Sequence, residues 1–165
     1  MASYTPAEAR RWILKTFQAT WADPDKGWRG IKDEMGDPIS LAAEPRIDWE
    51  NVEDENTPDV TEPHLFVYVR HYASNPATVG GETRKIVTRR GFVLVRVWVP
   101  ADSGLKTADA ISYVVKTAFE RKRGVGAGSG IIFRSWRPTE AGPQKNGTFL
   151  TVSTVDFEYD EITGV

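Results

Sequence analysis

The clearest hydrophobic pattern in this chain lies between residues 91 and 100, where Val93, Val95, Val97 and Val99 alternate with other residues. A two-residue period in a segment rich in β-branched side chains predicts a β-strand with one wholly apolar face. The opposite face would carry Phe92, Leu94, Arg96 and Trp98. The arginine on that second face indicates that it is only partly covered.

An amphipathic helix is predicted directly after this strand. Pro100 ends the strand because it has no backbone donor, and Ser103 or Thr107 could cap the helix. Apolar residues then recur at steps of three and four: Ala108, Ile111, Val114, Val115, Ala118 and Phe119. Basic residues gather at the expected C-terminal end (Lys116, Arg121, Lys122 and Arg123), and Gly124 is expected to take the left-handed cap conformation. We therefore expect Ile111, Val115 and Phe119 to pack on the valine face.

The remaining pattern predicts one more helix and several strands. Thr5, Pro6 and Glu8 form the signature of a helix start, which predicts a helix over 6–22. A long loop with a possible helical turn follows over 23–43. The other predicted elements are an extended segment at 46–51, an acidic loop at 50–62, a strand at 65–72, a turn-rich loop at 74–82, a strand start at 83–90, a strand at 131–137, a hairpin turn at 145–148 and a last strand at 149–159.

The glycine-rich stretch at 124–130 superficially resembles a phosphate-binding loop. Such loops follow a strand and open a helix, and they continue with Lys-Ser or Lys-Thr. This stretch follows a helix and leads into Ile131-Ile132-Phe133. We interpret it as a helix-to-strand connection.

Composition narrows the classes of protein that fit. A chain of 165 residues with net charge −2 is expected to form one domain, 1–165, with a loop insertion at about 23–45. It contains no cysteine, which excludes disulfides and thiolate metal sites. The polar start and the absence of a long apolar run predict a protein that is kept in a cytoplasm-like compartment or released without secretion, with no membrane contact.

The sequence contains no pattern typical of a catalytic site or of a metal site. His64 and His71 lie seven residues apart on one predicted strand, so they should point to opposite faces and cannot share a metal. We expect a histidine at a strand end to be a surface or interface residue, and Asp156 and Glu158 to lie on a solvent-facing edge strand. No cofactor and no metal are expected.

The segment after the first predicted helix has part of the residue spacing of a calcium-binding loop. Asp23, Asp25 and Glu34 stand at positions one, three and twelve of that motif. Gly27 and Trp28 occupy positions five and six, where the motif needs a ligand and then a glycine. A solvated loop is the favoured interpretation.

The order of the elements, together with four short segments, resembles the tail terminator proteins of long-tailed bacteriophages. The segments are Ile47-Asp48-Trp49-Glu50-Asn51, Gly91-Phe92-Val93-Leu94-Val95, Pro100-Ala101-Asp102-Ser103-Gly104 and Phe157-Glu158-Tyr159. The resemblance implies an α+β fold with a mainly antiparallel β-sheet packed against an N-terminal helix and a central amphipathic helix. It also implies a non-enzymatic virion protein at the head-proximal end of the tail, assembled in the host cytoplasm.

In such proteins a homo-hexameric ring sits on the last ring of the tail tube protein, ends tube polymerisation and meets a head-completion or connector protein. The resemblance implies these partners, and genomic DNA would pass through without specific binding. Two alternatives remain open: a small hydrolase or nuclease that uses carboxylates, and a nucleic-acid-binding module on the basic segments 84–90 and 116–123.

A subunit interface can be predicted from charge. The basic strand start, with Arg84, Lys85, Arg89 and Arg90, is too polar to be core along its whole length and is expected to begin as an arm outside the domain. It could meet a neighbour's acidic residues Glu53, Asp54 and Glu55, giving a head-to-tail contact that closes a ring. The alternative is an exposed hairpin whose charges are solvated, because a surface ion pair contributes only ~0–1 kcal/mol.

Overall fold

The computed structural model describes residues 3–49, 61–78 and 85–163. Its helices are α1 (Pro6–Trp21) and α2 (Gly104–Phe119), and its strands are β1 (Arg46–Trp49), β2 (His64–Thr78), β3 (Lys85–Pro100), β4 (Ile132–Pro143) and β5 (Thr148–Thr163). Short 3-10 turns occur at Trp28–Gly30 and Gly126–Gly128. The expected α+β class is confirmed.

The strands form one sheet in the order β1-β2-β3-β5-β4. β1 runs parallel to β2, and the other neighbouring pairs are antiparallel. The valine strand is β3, and it pairs along its whole length with β5, from Lys85 opposite Thr163 to Pro100 opposite Thr148. β3 is therefore the centre of the fold.

The predicted contact between α2 and the valine strand is confirmed. The four alternating valines of β3 are fully buried, as are Ile111, Val115 and Phe119 of α2, and all belong to one hydrophobic core. The Phe119 ring lies 6.0 Å from the Phe17 ring of α1 and 4.7 Å from the Phe133 ring of β4. Both helices thus cover the same face of the sheet.

The helix α1 begins as its sequence predicts. The Thr5 side chain accepts a hydrogen bond from the backbone N–H of Glu8, and Glu8 accepts one from the backbone N–H of Thr5. This reciprocal cap satisfies backbone donors that the first helical turn leaves without partners. Ala9, Ile13 and Phe17 are buried along the side that faces the core.

The C-terminal end of α2 differs from the prediction. The helix stops at Phe119, and Arg121 rather than Gly124 takes the left-handed conformation, with φ of 51°. The chain turns early because the backbone N–H of Arg121 donates to the carbonyl oxygen of Arg134, and the N–H of Phe133 donates to that of Lys122. At the N-terminal end of α2, the Ser103 side chain makes no capping hydrogen bond. The Thr107 hydroxyl instead donates to the backbone carbonyl oxygen of Ser103.

Two strands are longer than predicted. β2 continues to Thr78 through the segment that was expected to be a turn-rich loop, and β4 continues to Pro143. In both strands the pairing shifts register, between His71 and Ala73 in β2 and between Glu140 and Gly142 in β4. Such bulges let residues with poor strand propensity stay in the ladder. The basic start of β3 is consequently paired on both sides, so it is not a lone arm.

The glycine-rich connection serves packing. A Cβ placed on Gly128 would lie 2.8 Å from the Cβ of Trp12 on α1, closer than side chains can approach. The backbone N–H of Val125 donates to the Thr16 hydroxyl at 3.2 Å, which ties the same connection to α1. A glycine here lets the helix and the loop come into contact.

Candidate assembly surface

The face of the sheet opposite α1 and α2 is the main candidate for a functional surface. Because side chains alternate along a strand, the even-numbered residues of β2, β3 and β5 point to this second face. Its apolar members are only partly buried: Phe66, Tyr68, Phe92, Leu94, Trp98, Leu150 and Val152. We call this the open face.

Aromatic and arginine side chains meet at the centre of the open face. The Phe66 and Tyr68 rings lie 4.1 Å apart between centroids. The guanidinium of Arg96 lies 5.5 Å from the Tyr68 ring centroid and that of Arg70 lies 5.6 Å from it, and both arginines are exposed. Such cation–π contacts hold charged groups beside an apolar platform.

Charged pairs occupy the β4 side of the open face. Arg137 Nη1 lies 2.6 Å from Asp156 Oδ2, and this hydrogen bond raises the pKa of the Arg137 guanidinium. Glu158 pairs with Arg134 and lies 3.6 Å from Arg90 Nε. The expectation that Asp156 and Glu158 lie on an edge strand is wrong, because β5 runs between β3 and β4.

The charge balance across the open face is therefore uneven. Asp156 and Glu158 of β5 are matched by arginines of β3 and β4. Within the described residues no carboxylate forms an ion pair with Arg96, and its exposed guanidinium places a positive charge beside Tyr68. An acidic partner would find the best electrostatic match there.

A buried polar pair stands at one end of the open face. His64 Nε2 lies 2.7 Å from Asp48 Oδ2, and Arg46 Nε donates to Asp48 Oδ1 at 2.9 Å. Both His64 and Asp48 are less than a tenth exposed, so the expectation of a surface histidine is wrong for His64. The pairing was missed because it depends on the parallel contact of β1 with β2, which the local pattern does not show.

His71 lies on the other face of the sheet. Its ring contacts those of Phe157 and Tyr159, with centroids 5.3 and 5.7 Å away. The prediction that His64 and His71 point to opposite faces is confirmed. The separation means that the two histidines cannot act on one ligand.

The predicted interface residues fall into two groups. Lys85 is exposed, Arg89 Nη2 lies 2.6 Å from Glu161 Oε2 of the same chain, and Arg90 faces Glu158. Arg84 and the acidic residues Glu53, Asp54 and Glu55 lie outside the described residues. Contact between these groups of two copies stays a prediction.

A second exposed surface lies on the helix side of the molecule. A groove of about 560 Å³ runs between α2 and the segment at 25–36. Large apolar side chains are exposed around it, with Met35 at 83%, Tyr113 at 58% and Leu105 at 37%. Burial raises the pKa of Asp109 in its wall, and the neighbouring Glu140 and Glu34 add to the effect.

The described residues were compared with the requirements of a metal site and of a membrane-spanning helix. Over 3–49, 61–78 and 85–163, no group of three or more histidine and carboxylate side chains could hold a metal ion. Asp23, the first residue of the incomplete calcium spacing, instead accepts hydrogen bonds from the backbone N–H groups of Asp25 and Lys26. No helix within these ranges is long and apolar enough to cross a membrane.

Comparison with known proteins gives a family. A family model described as phage tail terminator protein matches residues 31–156. No curated protein matches. One solved structure shares 14% identity over 91% of this chain and 94% of its own length, with a TM-score of 0.52, which is a likeness of fold alone. Since the family model spans most of the chain, from the segment before β1 through nearly all of the sheet, this chain belongs to the phage tail terminator family.

Proposed function

We propose that this chain caps the phage tail tube as a homo-oligomeric ring, hexameric in its mature form. The ring ends polymerisation of the tube protein and forms the tail side of the head–tail joint. The observation that carries this proposal is the family match over residues 31–156, the same residues that build most of the open face. The chain acts by binding rather than by catalysis.

The surface chemistry supports a role in assembly. A subunit of a closed ring contacts its neighbours through two different patches, each complementary to the other. The open face and the groove beside α2 are two such patches, and they lie on opposite sides of the sheet. Exposed aromatic and methionine side chains with arginine nearby are the composition that protein interfaces favour.

The charge also suits a protein around a DNA channel. With a net charge of −2, the chain has no overall attraction for phosphates, so genomic DNA can pass without being held. The remaining partners in this proposal are the tube protein on one side of the ring and a head-completion protein on the other.

The test is complementation of a phage whose terminator gene is deleted. Deletion should give headless tails of variable, excessive length, and expression of this chain should restore tails of normal length. Electron microscopy of tails carrying a tagged copy should place the tag at the head-proximal end. Tails of normal length in the deletion strain would contradict the proposal.

A further inference from the structure

We propose that the turn at 33–37 of one copy docks onto the open face of the next copy. This inference rests on the proposed function, because it names the contact through which the ring closes. The occupant is a defined part of the chain: Asp33-Glu34-Met35-Gly36-Asp37, which we call the acidic turn. Its receptor is the cluster of Phe66, Tyr68 and Arg96.

The acidic turn is held rigidly. Lys32 and Pro38 form an antiparallel bridge at its base, and the backbone N–H of Asp33 donates to the carbonyl oxygen of Asp37 at 2.9 Å. Inside the turn, Asp33 Oδ1 accepts from the backbone N–H groups of Met35 and Asp37, each at 2.9 Å. Gly36 supplies the left-handed conformation, with φ of 86°.

The turn is also fixed to the body of the domain. The backbone N–H of Ile39 donates to the carbonyl oxygen of Ile31 at 3.0 Å, and Ile31 is buried in the core. Lys106 Nζ of α2 lies 3.4 Å from Asp33 Oδ2. A loop ordered before binding loses less conformational entropy when it docks.

This rigid turn presents side chains that no described contact accounts for. Met35 at its tip is 83% exposed, and Glu34 and Asp37 on either side of it are exposed as well. An apolar side chain held out into water by a rigid turn is stabilised when a partner covers it. The turn therefore combines one flexible apolar side chain with two carboxylates.

The open face offers the matching chemistry. Methionine sulfur makes favourable contacts with aromatic rings, and the Phe66 and Tyr68 rings form a partly exposed platform. Arg96 stands beside that platform with its guanidinium over Tyr68, where Glu34 or Asp37 of a neighbour could reach it. Because the turn lies on the helix side of one copy and the platform on the other side of the next, the contact is head-to-tail and can close by rotation.

The test uses two variants of the full chain that fail separately and assemble together. The first, Arg96→Glu, reverses the charge of the platform. The second, Glu34→Lys with Asp37→Lys, reverses the charge of the turn. Each variant alone should lose rings by at least about tenfold at a protein concentration where the wild-type chain forms them, as measured by native mass spectrometry. An equimolar mixture should regain rings in which the two variants alternate. In such a ring the reversed platform of Arg96→Glu meets the reversed turn of the double lysine variant, and the normal platform of the lysine variant meets the normal turn of Arg96→Glu, so oppositely charged groups face each other at every boundary.

Matched controls separate this contact from a general effect of charge. Arg11→Glu on exposed α1 and Asp102→Lys in an exposed loop make the same changes elsewhere and should leave rings intact. Met35→Ser should weaken rings without altering the thermal unfolding temperature, since the side chain touches little in the monomer.

The outcomes distinguish the contact from the proposed function. If both charge variants still form rings, the contact between turn and platform is overturned. It is also overturned if neither variant nor the mixture forms rings and a control variant fails as well. In the first case the wild-type chain still forms rings, so the proposed function stands. A wild-type chain that forms no ring and leaves tails overlong contradicts the proposed function itself.

Discussion

At the scale of single residues, the hydroxyl group of Tyr159 is a buried polar group in the hydrophobic core. Tyr159 is 2% exposed, and its hydroxyl finds no hydrogen-bond partner among residues 3–49, 61–78 and 85–163. Burial raises the pKa of Tyr159 to about 12, against an ordinary value of 10.0, and the Glu161 carboxylate contributes to the same shift. A buried hydroxyl without a partner costs stability that a phenylalanine would avoid.

We predict that Tyr159→Phe leaves the free energy of unfolding at neutral pH within about 1 kcal/mol of wild type, or raises it. Below pH 10 the tyrosine is protonated in both states and its contribution is constant. Between pH 10 and about 12 the unfolded state loses the proton first, so wild-type stability falls as pH rises. Urea titrations across this range should show a smaller fall in the variant, whereas Tyr72→Phe, at a 59% exposed side chain, should behave like wild type.

The two histidines give a second residue-scale prediction. His64 is paired with Asp48 and His71 lies on the opposite face of the sheet, so the two histidines cannot bind one metal ion together. Titration calorimetry with zinc, magnesium and calcium should detect no stoichiometric site. A tight site would revive the alternative of a metal-dependent nuclease.

At the scale of elements, α2 and β3 stabilise each other through the Phe119 side chain. Phe119 is fully buried and contacts rings from α1 and β4 as well as the valine face. Phe119→Ala should cost about 3–5 kcal/mol, a large share of the ~5–15 kcal/mol typical of a domain. Chemical denaturation measures this loss, and Tyr113→Ala on the exposed side of α2 is the control. A loss below about 1 kcal/mol would mean that the helix does not depend on this contact.

Sequence patterns predicted the elements whose own residues determine them. The alternating valines specify β3, and the cap at Thr5 specifies the start of α1. The missed features depend on residues far apart in the chain: the end of α2 at Arg121 is set by hydrogen bonds to β4, and β2 continues past Tyr72 because β3 lies beside it. Tertiary pairing overrides local propensity in such places.

The open face shows the same division between local and long-range features. The alternating pattern of β3 placed Arg96 on its second face, and from this one residue the sequence predicted that the face is partly covered. The cluster of Tyr68 with Arg70 and Arg96 joins two strands, so only their register could bring it together. The acidic turn was part of a segment without periodicity, and the hydrogen bonds of Asp33 that make it rigid are not visible in that pattern.

At the scale of the whole molecule, the basic start of β3 can be tested as a separate ring contact. Arg89 and Arg90 lie on opposite faces of the sheet and pair with Glu161 and Glu158 of their own chain. These pairs are partly exposed, and such ion pairs contribute only ~0–1 kcal/mol to stability. The double variant Arg89→Glu with Arg90→Glu reverses both charges and should therefore leave the monomer folded. Circular dichroism and thermal unfolding can verify this.

If these arginines meet a neighbour's Glu53, Asp54 and Glu55, the double reversal should shift rings to monomers and leave tails that grow past their normal length. The loss arises because repulsion is repeated at every subunit boundary of a closed ring. Arg89→Glu combined with Glu161→Arg is the matched control, because it keeps an ion pair within the chain and leaves the local net charge unchanged. Native mass spectrometry and tail-length measurement report the two effects. Should the double variant form rings and give tails of normal length, the basic start of β3 is not a subunit interface, and the cluster around Tyr68 on the open face is left as the surface to test.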